Sequence, residues 1–451
     1  MKDRTACWSG PAKHRRRAAA VWALFVLLVP AFLDGAPRHP ASVVDSRASA
    51  IAVDRSGNVF VTGFSNALCT TIKYDSTGKQ RWLRQCSGQP NAIAADAAGN
   101  VYVAGLSHDS ASSWDVLTVK YGNDGEQRWL RVYNGPADDW DEAAAIAVDG
   151  SGNVFVTGFS EDANGKKDVC SIKYDAAGKQ KWVKRYNGPA NGDDEARAIA
   201  VDGSGNVYVT GRSERPKTGT DFVTIKYNAA GLQKWVAHFS GPGADDDSAN
   251  SLALDTSGGI YVTGTIQTPL SDRDCATLKY NAAGLRQWVK RYNGPGNSAD
   301  RGIAVAVDTA GRVCVAATSP ESANDFAVLQ YTSAGAEQWV SRYNGPYGGQ
   351  DEVEAMAVDG SGNVIVTGYS WSATEADYAT VKFDAAGVEQ WAKRYNGSAS
   401  KADFPKAVAV DAAGNVYVTG YGELASRGND FVTIKYGADG SQKWLRWHDR
   451  P

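Results

Sequence analysis

The stretch AIAVDGSGNVYVTG (Ala198 to Gly211) recurs eight times along the chain, and its copies are marked by Asp54, Asp96, Asp149, Asp202, Asp255, Asp308, Asp359 and Asp411. Successive aspartates lie 42, 53, 53, 53, 53, 51 and 52 residues apart. A unit of this size cannot bury an apolar face alone and must stack on its neighbours, so the period restricts the chain to a solenoid, an array or a propeller. Within each unit, AIAV and NVYVTG flank one glycine turn, and DFVTIKY and QKWV flank another, which gives four strands per unit. No segment carries a helical period long enough to form a helix. The expected fold is all-β, a β-propeller of four-stranded antiparallel blades. Eight blades are expected; the alternative is a seven-bladed ring with the short first unit as an appendage. Each unit supplies its own four strands, so closure need not borrow one, and ASVVD (Ala41 to Asp45) is available as an extra edge strand.

Lengths inside the unit separate its constant parts from its variable ones. The Tyr or Phe closing the third strand precedes a tryptophan by eight residues in every copy, from Tyr74 and Trp82 to Tyr436 and Trp444. From each tryptophan to the next unit's Asp is 20 residues, except for 14 between the first two units. A tryptophan fixed in place eight times reads as blade-to-blade packing, its indole N–H needing one partner there. The rival reading, a sugar-stacking platform, would not have to recur at one position in every blade.

The units AIAVDGSGNVYVTG…DFVTIKYNAAGLQKWV resemble the seven-bladed β-propeller repeat (SBBP) family of bacterial exported and surface proteins, over residues 50 to 447. That resemblance implies a propeller outside the cytoplasm and brings no catalytic residues with it. DAAGKQKW (Asp175 to Trp182) is also similar to the tryptophan-docking motif of eight-bladed quinoprotein dehydrogenases, though one residue shorter in the turn. The adjacent cysteines of those enzymes have no counterpart here. A likeness to the sialidase Asp-box departs in its Ser and its Trp spacing. Both are read as shared hairpin mechanics.

Loops of a four-stranded blade alternate between the two faces of the disc. The short GSG and AAG turns make one face regular, and the inter-blade and second-to-third-strand loops gather on the other. Acidic runs occupy the variable face: PADDWDEA (Pro136 to Ala143), ANGDDEA (Ala190 to Ala196), GADDDSA (Gly243 to Ala249) and GQDEVEA (Gly349 to Ala355). The fourth strand is basic, with Lys179, Lys181, Lys184 and Arg185 in one blade and Arg286, Lys290 and Arg291 in another, as suits an outermost edge. Asp115, Asp168, Asp221, Asp274, Asp325, Asp377 and Asp430 each lie six residues before the third strand's Tyr or Phe, with Leu68 in the first unit. As a ring of carboxylates they are the weak candidates for metal, calcium being the cation such oxygens suit. The local reading is that each fixes its chain's path into the strand by accepting backbone N–H bonds.

No cofactor other than calcium is indicated, and no catalytic arrangement. His108, His238 and His448 lie in different units, and neither a GxSxG, an HExxH nor a phosphate loop is present. Cys69 and Cys86 flank the first unit's last hairpin. A two-residue turn there sets them opposite each other as a possible disulfide, whereas a three-residue turn with Gly78 in the left-handed region shifts them apart. Cys170, Cys275 and Cys314 read as small buried hydrophobes.

Residues 1–36 are read as a signal peptide or N-terminal anchor: Lys13 and Arg15 to Arg17 precede a sixteen-residue apolar run, short of the ~20 needed to span a bilayer. Residues 37–49 are a linker or edge strand, and 50–451 a single propeller. A formal net charge of -3 with 43% hydrophobic and 22% charged residues gives no electrostatic basis for binding nucleic acid. The expected protein is an exported monomer, extracellular, at the cell surface or periplasmic, and touches a membrane only if its N-terminal segment stays uncleaved. Its expected role is that of a binding or interaction scaffold whose acidic variable face takes an unknown protein or carbohydrate. The alternatives are a carbohydrate-active enzyme (hydrolase or lyase) with carboxylates near the central opening, and a calcium-binding surface protein.

Overall fold

The computed structural model describes residues 45–448, apart from 109–113, 244–245, 270–272, 322, 398–400 and 425–427. The apolar N-terminal run and most of ASVVD lie outside the described residues. Those residues form eight four-stranded antiparallel sheets, and no helix occurs among them. The sheets are blades 1 (46–87), 2 (89–133), 3 (141–186), 4 (194–239), 5 (248–292), 6 (301–343), 7 (351–395) and 8 (403–448). In each, the strands pair in chain order.

The first strand of every blade packs against the first strands of the blades before and after it, and those of blades 1 and 8 meet. The ring is therefore closed at eight blades, with first strands around the axis and fourth strands at the rim. Blade 1 is a full member, which removes the seven-bladed alternative. Val59, Ile72, Val101, Val156, Ile225 and Val364 illustrate why the sheets stack: one face of the middle strands buries β-branched side chains against the preceding blade, and the other buries rings such as Phe60, Tyr102 and Phe155 against the next.

Both turns are closed by local chemistry. In the first, the Asp Oδ1 accepts two backbone N–H groups and the Asn side chain reaches Oδ2, as in Ser204 N–H and Asn206 N–H to Asp202 (2.9 Å each) and Asn206 Nδ2 to Asp202 (2.7 Å). The recurring motif is thus a turn element. In the second, a left-handed glycine such as Gly178 (φ 79°) lies against the tryptophan of the preceding blade. That tryptophan donates its indole N–H to a turn carbonyl one blade on: Trp129 to Ala176 (3.2 Å), Trp235 to Ala282 (3.1 Å) and, across the closing seam, Trp444 to Ser76 (3.3 Å). The same bond occurs at the other five interfaces, so the tryptophans join blades.

Candidate functional site

A bulge in each first strand builds the lining of the axis. Pairing with the second strand skips one residue per blade: Ser49, Asn91, Ala144, Arg197, Asn250, Ile303, Glu354 and Lys406. A bulge re-aims the extra side chain, here at the inner edge of the innermost strand. The backbone approach it requires explains the glycine of the recurring TG: a Cβ at Gly158 would lie 1.9 Å from the Glu142 carbonyl oxygen. Blade 6 moves the glycine across the pair, with Gly302 opposite Ala317.

These residues contact one another between blades. Asn91 donates to Glu142 (2.8 Å) and to the Ala143 carbonyl (2.9 Å), Arg197 to Asn250 (2.7 Å), Asn250 to the Gly302 carbonyl (2.7 Å) and Lys406 to Glu354 (2.6 Å). Nearer the variable face, Glu195 takes Lys167 at 2.9 Å and Arg212 at 2.9–3.0 Å, and Glu352 accepts from Asn324 at 3.0 Å. Burial lifts the carboxyls of Glu142 and Glu354 above their usual range, with Lys406 opposing it at Glu354. Burial would lift Glu195 too, but Arg212 and Lys167 outweigh it and hold it low. Burial, with the neighbouring Arg212, draws Arg197 down to about 10.

Two aromatic groups flank this lining on the variable face. In the loop leading to blade 3, Trp140 stands 37% exposed, edge-on to Phe159 at 5.4 Å, with Lys167 Nζ 4.9 Å above Trp140 and 4.2 Å above Phe159. Around blades 7, 8 and 1, Phe404 packs on Tyr369 (5.3 Å) and Tyr421 (5.5 Å), and Arg47 stacks on Tyr421 at 5.0 Å. Trp371 (38% exposed) and Tyr347 (62%) lie beside this second group, in blade 7 and in the loop leading to it. In a ring of eight, blades 3 and 7 face each other across the axis.

The seven aspartates of the third strands are not gathered at one point. Each is buried in its own blade. Four pair with a fourth-strand arginine: Asp168 with Arg185 (2.9 Å), Asp274 with Arg291 (2.5 Å), Asp325 with Arg342 (2.9 Å) and Asp377 with Arg394 (2.8 Å). Asp221 instead takes Thr218 at 3.0 Å and Arg215 at 3.6 Å, while Asp115 and Asp430 belong to blades with Val132 and Trp447 in the arginine's place. In those four blades the partner is a guanidinium and not the backbone, and Arg185 and Arg291 reach inward from the rim. Among the described residues, no three His, Cys, Asp or Glu side chains converge as a metal would require.

Several acids of the variable loops prove to be internal. Asp141, Asp194, Asp247 and Asp351 are at most 1% exposed. Each accepts the backbone N–H of a glycine six residues earlier, as Asp194 does from Gly188 at 2.5 Å, which pins the inter-blade loop. Asp138 and Asp139, by contrast, are exposed in the loop leading to blade 3. Sequence reasoning missed the lining of the axis. Its one available signal was the variable residue immediately before the nearly constant A-[IVLM]-A-V of each first strand.

On the regular face, a cleft of about 660 Å3 opens between blades 5 and 6, where Gly259 replaces the Asn of most other turns. Its Lys279 and Trp288 both donate to the Ser333 carbonyl (2.9 and 3.1 Å), so its polar groups already serve the blade contact.

Comparison with known proteins agrees with this architecture. The chain is 28% identical over 141 residues to the Regulatory protein FlaEY of Caulobacter vibrioides, covering 28% of this chain and 14% of that protein's length. Among solved structures, it superposes on the quinohemoprotein alcohol dehydrogenase of Comamonas testosteroni with a TM-score of 0.53 at 12% identity, covering 89% of this chain and 77% of that one. It superposes equally, at TM-score 0.53 and 11% identity, on Chaetomium thermophilum Sqt1 bound to the N-terminus of the ribosomal protein L10, covering 83% of this chain and 94% of that one. At such identities the likeness is one of fold. The family model for the SBBP β-propeller repeat matches residues 181–214, 234–270 and 390–422. The chain is an eight-bladed β-propeller that carries SBBP β-propeller repeats.

Proposed function

We propose that this protein is an exported binding scaffold whose ligand docks on the variable face, across the mouth of the axis. The observation that carries this reading is the pair of half-exposed tryptophans, Trp140 and Trp371, on opposite sides of that mouth. Large aromatic rings left in water beside fixed ion pairs are what an interface uses as anchors. Phe159 and Lys167 hold the Trp140 ring in place before any ligand arrives, which lowers the ordering cost of binding. Export rests on the basic and apolar N-terminal run, and N-terminal sequencing of the mature protein should then begin near residue 37.

The second reading, a carbohydrate-active enzyme, is favoured by the four glutamates near the axis, Glu142, Glu195, Glu352 and Glu354. Each of them already has a protein partner: Asn91, Lys167 with Arg212, Asn324, and Lys406. Lys167 with Arg212 and Lys406 neutralise two of them, whereas glycoside cleavage needs two carboxyl groups flanking one bond, so the scaffold is preferred. Sqt1 in complex with a ribosomal protein N-terminus, and the quinohemoprotein dehydrogenase, illustrate that the fold serves both purposes.

A phage-displayed peptide library and a glycan array are the probes. Trp140→Ala combined with Trp371→Ala should weaken selected ligands at least tenfold while leaving the melting temperature unchanged. Binding indifferent to both substitutions would remove the site from this face. Cleavage of a captured glycan would establish the enzyme, and heat released on calcium titration would revive the aspartates as metal ligands.

A further inference from the structure

The third-to-fourth-strand hairpin of blade 1 differs from its seven counterparts at one cross-strand pair. Cys69 and Cys86 stand directly opposite each other. The equivalent pair elsewhere has a ring on the fourth strand, as in Phe222–Phe239, Phe326–Tyr343 and Tyr378–Tyr395. Gly78 does adopt the left-handed conformation (φ 82°) that would offset the two cysteines. A register shift at Lys73/Tyr74 leaves Arg81 unpaired and brings them back into line. Blade 1 also lacks the Asp–Arg tie that joins these strands in four other blades: Leu68 replaces the aspartate, and Gln85 stands in the arginine's place. Two small side chains thus occupy a slot that other blades fill with an aromatic ring, in a blade without the Asp–Arg pair that ties these strands in four others.

We propose that Cys69 and Cys86 form a disulfide that staples the rim strand of blade 1 to its neighbour. Side chains directly opposite in an antiparallel pair have Cβ atoms about 4.5–5.5 Å apart, and a disulfide needs about 3.5–4.5 Å, so closure takes a shift of about 1 Å. Both groups are thiols in the structure; Cys69 is buried, and Cys86 is partly open to solvent. Cys86 is therefore the entry point. A hydrogen bond from Cys69 holds the Cys86 thiol below its usual range, and the same contact together with burial raises Cys69. The Cys86 thiolate attacks a small-molecule disulfide such as oxidised glutathione, forming a mixed disulfide and releasing one thiolate. Cys69, losing its proton, then attacks Cys86 Sγ and expels the second thiol. Two protein thiols are oxidised and one external disulfide is reduced to two thiols. Cys170, Cys275 and Cys314 are buried in blades 3, 5 and 6, away from this hairpin.

Trypsin makes the test direct, because cleavage after Arg55, Lys73, Arg84 and Lys120 puts the two cysteines in separate peptides, 56–73 and 85–120. The full chain is oxidised with glutathione disulfide, alkylated in denaturant without reductant, and digested. The expected product is the two peptides joined, two hydrogens lighter than their sum and separated by reduction, with the other four cysteines alkylated. In Cys69→Ser, Cys86 should be trapped as its glutathione adduct, and reductant should lower the melting temperature of the wild type but not of this variant. Separately alkylated Cys69 and Cys86, or a link from either to another cysteine or a second chain, would overturn the proposal. None of these outcomes bears on the ligand site, so the two readings fail independently.

Discussion

One glycine per blade has two jobs at the residue scale. Gly178 is left-handed, and a Cβ there would lie 2.6 Å from the Trp129 ring. Gly165 is equally left-handed (φ 71°) with nothing within 4 Å of a Cβ. Gly165→Ala should then cost about 1 kcal/mol, the backbone strain alone. Gly178→Ala should cost several times that, because the indole and its bond to Ala176 must move, and urea unfolding of the two variants measures the difference. Blade 6 shows how a residue can change without losing its role. Arg312 replaces the turn Asn and Gln330 the third-strand lysine. The Arg312 guanidinium bonds Asp308 at 2.5 Å and reaches the Ala385 carbonyl at 3.3 Å, the same oxygen that Trp339 uses.

At the scale of the strand, buried carboxylates pin the loops and leave a pH signature. Burial raises Asp403 to about 7 and Asp194 and Asp247 to about 6. Asp141, Asp300 and Asp351 shift the same way for the same reason. A carboxyl raised in the folded state adds stability that is complete below its unfolded value, near 3.9, and is lost as the pH rises through 6 to 7. His238, pushed down to about 4 by burial, acts in the opposite sense and costs stability as the pH falls below about 6.5. The acids outnumber it, so the urea midpoint should fall between pH 5 and pH 8. Asp403→Asn keeps an acceptor for the Gly397 N–H but cannot ionise. It should flatten that fall and stabilise the protein at pH 8, by roughly 1.4 kcal/mol for each pKa unit relieved. The acidic loops were legible in the sequence as charge. Their burial was not, because a carboxylate under a glycine N–H and one in water have the same spelling.

For the whole molecule, closure makes the seam an ordinary interface. Lys435 and Trp444 donate to the Ser76 carbonyl and Arg446 to that of Gly78, the contacts that Lys120, Trp129 and Arg131 make to Ala176 and Gly178. Trp444→Ala should therefore destabilise the protein as much as Trp182→Ala, each by about 3–5 kcal/mol, in thermal or urea unfolding. In an open array the last tryptophan would have no neighbouring blade, and its loss would be nearly silent.

The sequence alone determined the eight units, the four strands in each, the two tight turns and the packing role of the tryptophans. All of these are local patterns, and their repetition acted as an alignment within one chain. The tertiary structure alone decided that Glu354 meets Lys406, that Arg197 meets Asn250, and that Trp140 stands across the axis from Trp371. Those partners are some fifty residues apart, or on opposite sides of the ring. They come together only once a bulge has turned one side chain of each blade toward the axis and the eighth blade has closed on the first.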